Sequence, residues 1–309
     1  MPSSFFISVN SWIKFFPRLL CGLLASLLLG SSLARAQPLH SEEVANPAPV
    51  PLSSADADQE LFKFRHGRLD GDFCLAFELL HRPRRGDDTA YIGAAWGTWN
   101  DQGPITRFRV IQKSTASTSG PPAATPVIWE WLVQNGATPH IWALTPGTTT
   151  AREVPATEWR TPLFPGTVYT PFDLLMPFLY WADSTYAGTD RPNGRGVDMF
   201  VLKPPASAPV PSIGSVRISM DREFLNLVRT EQFDPKGKLV RKFDLQSFAK
   251  VQEQWMIQTC QLLDVTTGDY DRFDVKSAAM KQKLDAVIFD PAHLGEKAAL
   301  PPQSAWANL

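Results

Sequence analysis

Thr170-Pro171-Phe172-Asp173-Leu174-Leu175-Met176-Pro177-Phe178-Leu179-Tyr180-Trp181 and Ser215-Val216-Arg217-Ile218-Ser219-Met220-Asp221 together decide the fold. The first stretch has helical spacing. Phe172, Leu175, Met176 and Leu179 form one stripe, and Leu174, Phe178 and Trp181 form another. A helix apolar on nearly every side must be covered on both sides or must itself cover something apolar. Thr170 suits the N-cap and Pro171 the first helical position. Pro177 cannot donate to the carbonyl of Asp173, so a kink or break is predicted there. The second stretch alternates. Val216, Ile218 and Met220 face one way, Ser215, Arg217 and Ser219 the other, which is the pattern of a half-buried strand. A lid followed by antiparallel strands is the expected arrangement from Gly166 to Thr266.

Further strands extend this meander. Phe224 to Asp234 is less regular and suggests a bulge. Asp234-Pro235-Lys236-Gly237 fits a type I turn into Leu239 to Phe248. Val251 to Thr266 reads as a long strand with Val251, Trp255 and Ile257 on one face. Thr267-Gly268-Asp269 turns into Tyr270 to Lys276. Upstream, strands are expected at 71–81, 89–99, 105–112, 127–134 and 138–144, with turn-forming clusters between them. Asp58 to His66 reads as a short helix. Leu284 to Phe289 fits a last strand or a short helix. Ser114 to Pro126 and Pro204 to Pro211 are low-complexity loops.

The order PGTVYTPFDLLMPFLYW, a strand ending in Lys203-Pro204-Pro205, VRISMDREFLNLVRTEQFDPKGKLVRKF and KVQEQWMIQTCQLLDVTTGDYDRF resembles the LolA-like outer-membrane lipoprotein-sorting family. The resemblance covers roughly the second half of the chain. It implies an open half-barrel of antiparallel strands, with helices across its concave face and a cavity for acyl chains of lipoproteins or related lipids. It also implies an arginine that ties lid to barrel, for which Arg82, Arg84, Arg107 and Arg109 are the candidates. Partners would be lipid or lipoprotein acyl chains, with membrane-bound donor and acceptor proteins. No cofactor is implied.

The first 36 residues read as a secretory signal, with Lys14 and Arg18 before the apolar run Leu19 to Leu29 and Ala34-Arg35-Ala36 as the cleavage site. That implies a periplasmic mature chain from Gln37. Residues 37–57 form a Pro- and Ala-rich leader, 58–290 the half-barrel domain, and 291–309 a loose tail. Three of the 30 basic residues lie in the signal and none of the 31 acidic ones, so the remainder is mildly acidic. No block of one sign is present, which argues against nucleic acid as a partner. Cys74 and Cys260 both fall in predicted strands. An oxidising compartment permits a bridge between them, and two separate buried thiols are the alternative.

Trp96, Trp129, Trp131, Trp142 and Trp255 fall in predicted strands. With Phe172, Leu175, Phe178, Leu179 and Trp181 of the lid they are the candidate lipid-binding residues. The same rings could instead pack a closed core. Catalytic signatures are missing: no Gly-x-Ser-x-Gly elbow, His-Glu-x-x-His, phosphate loop or dinucleotide fingerprint occurs. Ser247-Phe248-Ala249-Lys250 matches Ser-x-x-Lys but lies between strands, without the accompanying partners. The histidines are scattered and no metal spacing exists. Asp173 is either an unusual functional carboxylate or a favourable charge in the first helical turn. The sequence therefore points to a non-enzymatic carrier, with a ligand-free scaffold and a small outer-membrane barrel as alternatives.

Overall fold

The computed structural model describes residues 49–113, 127–208 and 210–309. The expected signal peptide, residues 37–48 of the leader and the loop Ser114–Pro126 lie outside the described residues. Contacts divide the chain into 1–46 and 47–309, and the second unit holds the sheet.

Helix α1 (Ser54–His66) is capped by Ser53, whose hydroxyl accepts from the Asp56 N–H, and buries Ala57 and Leu61. The strands are β1 (Asp72–Arg82), β2 (Thr89–Asn100), β3 (Gly103–Gln112), β4 (Ile128–Gln134), β5 (His140–Leu144) and β6 (Arg152–Glu153). After the lid come β7 (Asp183–Asp190), β8 (Val197–Lys203), β9 (Ser215–Asp221), β10 (Leu227–Phe233), β11 (Leu239–Val251), β12 (Gln254–Asp264), β13 (Tyr270–Gln282) and β14 (Ala307–Asn308). All belong to one antiparallel sheet, ordered β6-β5-β4-β3-β2-β1-β13-β12-β11-β10-β9-β8-β7, with β14 beside β13. It is an open half-barrel, as the family resemblance implied.

This order explains the lid. The chain starts in the middle of the sheet, meanders to the β6 edge, and must reach β7 at the opposite edge before meandering back to pair β13 with β1. The crossing passes over one face, here called inner. The bulge expected within Phe224 to Asp234 occurs as register shifts between Leu227 and Arg229 against β9 and between Gln232 and Phe233 against β11. Val251 ends β11 rather than opening the next strand. Gln252 and Glu253 take positive φ and form the hairpin turn that the sequence did not signal.

The outer face of β1 to β5 is covered by residues 284–309. Ile288 packs with Cys74, Trp96 and Ala279, and Leu294 packs with Ile105 and Leu132. Leu284 to Phe289 contains a 3₁₀ turn over Ala286–Phe289. The tail is thus not loose. Trp96 Nε1 donates to the Ala299 carbonyl at 2.9 Å, and Arg107, 2% exposed, donates to Glu130 Oε2 and to the Glu296 carbonyl, each at 2.6 Å. Gly295 N–H donates to the same Glu130 oxygen at 3.1 Å. Both charges are buried, so the pair depends on these further bonds to offset its desolvation.

Candidate functional site

The lid starts as short helix α2 (Pro171–Leu175). Asp173 accepts from the Thr170 N–H at 2.9 Å and from its hydroxyl at 2.6 Å. Met176 then takes a left-handed conformation, φ 43°, and a 3₁₀ turn runs over Pro177–Tyr180. The break expected at Pro177 is therefore present. It leaves carbonyls without helical donors, and these are taken up from the surrounding elements. Asn135, in the β4–β5 turn, donates to the Leu174 and Leu175 carbonyls, each at 2.8 Å. Arg65, in the last turn of α1, donates to the Leu179 carbonyl and, at 3.1 Å, to the Trp181 carbonyl.

A polar clasp completes the attachment. Arg241 on β11 pairs with the Asp173 carboxylate. Gln232 on β10 donates to Asp173 at 2.8 Å and accepts from Arg160 at 2.7 Å. Arg160 lies over the Phe172 ring, and burial lowers its pKa. None of Arg82, Arg84, Arg107 and Arg109 reaches the lid. Arg241 and Arg65 hold it instead. Their roles depend on sheet order, which places β11 and α1 against the crossing chain, so local sequence carried no signal for them. Asp173 is both first-turn acid and partner of a distant arginine.

Upstream of the lid, Asp271 of β13 is fully buried and anchors the incoming segment. Its carboxylate accepts from Thr167 Oγ1 and from the Val168 N–H at 2.8 Å, and pairs with His81 Nδ1 at 2.7 Å. The hydrogen bond to Asp271 raises the His81 pKa.

Between lid and sheet lies a cavity of about 540 Å³. Its floor uses the alternation of β1: Phe73, Leu75, Phe77 and Leu79 all face inward. Gly93 and Gly97 of β2 make room for these rings. A Cβ at Gly97 would stand 2.0 Å from the Phe73 ring, and one at Gly93 would stand 2.4 Å from Phe77. Phe108, Val133, Phe243, Leu262 and Phe273 continue the lining, and Leu174, Met176 and Leu179 close it from above. Among the few polar groups of the lining, Asp173 and Gln232 bond each other. At one end the cavity meets Leu69, Trp255 and Ile257, which are 37%, 42% and 38% exposed. Asp70 and Gln254 tie this rim together through bonds of 2.6 and 3.1 Å.

Of the residues expected from the sequence, the structure brings Trp131, Leu175, Phe178, Leu179 and Trp255 to the cavity wall. Trp129, Phe172 and Trp181 lie in the inner core without lining it. Trp129 packs on Phe164 at 5.3 Å, and Phe172 and Trp181 pack with Phe178. Trp96 and Trp142 are corrected: both point to the outer face, beneath the tail. Cys74 and Cys260 are free thiols. Cys74 faces outward with Trp96 and Cys260 faces the cavity, so the sheet itself separates them. Burial pushes the pKa of both up to about 12, which keeps them protonated and unreactive. Among the described residues no group of three or more His, Cys, Asp and Glu side chains is placed to hold a metal ion.

The comparisons agree with this geometry. A family model described as "-like: Uncharacterized protein" matches residues 132–296, more than half of the chain. No curated protein sequence matches it. Among solved structures, a domain provisionally described as outer membrane lipoprotein-sorting, from Vibrio parahaemolyticus, is 13% identical with a TM-score of 0.62, covering 76% of this chain and 95% of that one. A DUF1329 family protein from Desulfovibrio piger is 12% identical with a TM-score of 0.63, covering 79% and 98%. A LolA superfamily protein from Nitrosomonas europaea is 11% identical with a TM-score of 0.53, covering 77% and 98%. At such identities the likeness is one of fold, and the fold is LolA-like.

Proposed function

The chain belongs to the family matched over residues 132–296, and we propose that it is a non-enzymatic carrier that holds acyl chains of a lipid or lipoprotein in the inner-face cavity. The observation that carries this reading is an unfilled apolar space of about 540 Å³ beneath a broken lid. That volume falls within the range of roughly 300–1,000 Å³ common to ligand clefts. Each methylene moved from water into such a space contributes about 0.8 kcal/mol. The lid is tied through Asp173, at its middle by Asn135 and at its far end by Arg65, while Leu174, Met176 and Leu179 border the open space. The left-handed joint at Met176 is the place where it would move.

Export by the N-terminal signal would deliver the carrier to the periplasm. There a membrane-bound donor would load it and a membrane-bound acceptor would unload it, on the way towards the outer membrane. Among the described residues no helix is long and apolar enough to cross a membrane. The test is uptake of a fluorescent apolar probe by the purified protein, together with mass spectrometry of lipids that co-purify from a native host. Saturable uptake at one site, with acyl lipids co-purifying, is the expected result. A protein that takes up no probe and carries no lipid is a scaffold, and the proposal fails.

A further inference from the structure

The wall of the cavity is split on one side. Strands β12 and β13 pair only from Thr259↔Asp274 to Leu263↔Tyr270. Beyond that point β12 stays with β11, down to Val251↔Gln254, while β13 stays with β1, out to Asp72↔Gln282. The two halves of the sheet therefore part at the end where the cavity meets its exposed rim. On the side away from β11, the backbone of 254–258 has no strand partner among the described residues. Trp255, Met256 and Ile257 on this strand, and Val275 and Met280 on β13, all border the cavity.

The seam is closed by β14. Its pairing with β13 is short: Ser277↔Asn308 and Ala278↔Ala307, with the Leu309 N–H donating to the Lys276 carbonyl at 2.9 Å. Lys276 is the unmatched residue of a bulge, because Ala76 pairs with Ser277 while Phe77 pairs with Val275. Ala307 and Leu309 rest against the cluster of Val251, Met256, Val275, Ala278 and Met280. An open strand edge takes another strand readily, and a two-residue strand is weak competition for it.

We propose that this seam is a binding site for an extended polypeptide strand, which displaces Ala307–Leu309 and pairs with β13 at Lys276–Ala278. The inference rests on the acyl-carrier reading and concerns where the rest of the cargo goes: with acyl chains in the cavity, the adjoining polypeptide would leave through the seam, paired to β13. Main-chain pairing asks nothing of the peptide's side chains except that it be extended, so cargoes of different sequence would be accepted.

Two probes separate the claims: palmitate and a short palmitoylated peptide. The palmitoylated peptide is expected to bind roughly tenfold more tightly than palmitate, the worth of one or two net backbone hydrogen bonds. In the Ser277→Cys/Asn308→Cys protein, oxidation should erase that advantage and reduction should restore it, with palmitate affinity unchanged throughout. In the unmodified protein, the palmitoylated peptide should strip hydrogen-exchange protection from the Leu309 amide, which palmitate should not do. Equal affinity for palmitate and its peptide conjugate, or an advantage that survives the oxidised lock, overturns the peptide site and leaves acyl binding standing. Binding of neither acylated probe removes the carrier reading and this inference with it.

Discussion

The two faces of this sheet are built from the same kinds of residue and end in opposite states. On the outer face, Trp96 and Trp142 are covered by residues 284–309, and the cover is fixed by Arg107 and Glu130, each 2% exposed. On the inner face, Trp131 and the phenylalanines of β1 are covered by a lid tied at a few points by Arg241, Asn135 and Arg65, and about 540 Å³ stays open beneath it. What separates a core from a cavity here is the covering segment. The tail follows the surface and fills it. The lid, shortened by the left-handed Met176 and the following Pro177, bridges from anchor to anchor.

That contrast orders the expected effects of mutation. The largest belongs to the outer face. Glu130→Ala leaves Arg107 buried without its carboxylate and should cost about 3–5 kcal/mol of stability. The fraction of protein that remains folded should bind an apolar probe with unchanged affinity, as chemical unfolding and probe titration will show. Next is Leu175→Ser. Leu175 borders the cavity but is fully buried, so it should lose about 2–5 kcal/mol as a core residue does. The half-buried Leu179, on the same lid, is the cleaner probe of binding. Leu179→Ser should weaken probe affinity by more than it lowers the thermal midpoint. Equal losses in both would place Leu179 in the core. At the rim, Trp255→Ser should change stability by less than about 0.5 kcal/mol, as exposed substitutions do, while weakening binding of long acyl chains.

The smallest effect is that of pH on the lid anchor. Asp271 raises the His81 pKa, so the charged pair contributes fully below the ordinary histidine value of 6.5 and fades as pH rises through the higher folded value. The thermal midpoint of the native protein should therefore decline modestly across that window relative to His81→Gln. An identical pH profile in the two proteins would show that the pair is not coupled to folding.

Much of this was legible in the sequence, for local reasons. Thr170, Pro171 and Pro177 set the start and the break of the lid, and the alternation of 215–221 gave a strand with those bounds. What was not legible depends on contacts far apart in the chain. Asp173 meets Arg241 only because β10 and β11 lie under the crossing segment. Trp96 and Trp131 look alike in sequence, yet one points out and the other in, because parity on each strand is set by register and not by residue type. The Gln252-Glu253 turn lacks glycine and asparagine, so the sequence places the boundary before Val251, whereas β11 runs on to Val251 and the turn follows it. The tail 291–309 is expected to be loose from its terminal position alone, whereas Leu294 and the carbonyl acceptors for Arg107 and Trp96 pin it to the outer face.

The contrast between the faces is tested most directly by titrating the protein with a brominated fatty acid, which quenches nearby indoles, and reading tryptophan fluorescence. The expected result is saturable quenching that is sharply reduced in Trp131→Phe/Trp255→Phe and unchanged in Trp96→Phe/Trp142→Phe. Quenching that disappears with the outer-face pair, or no saturable quenching in any of the proteins, would contradict an acyl-binding cavity on the inner face.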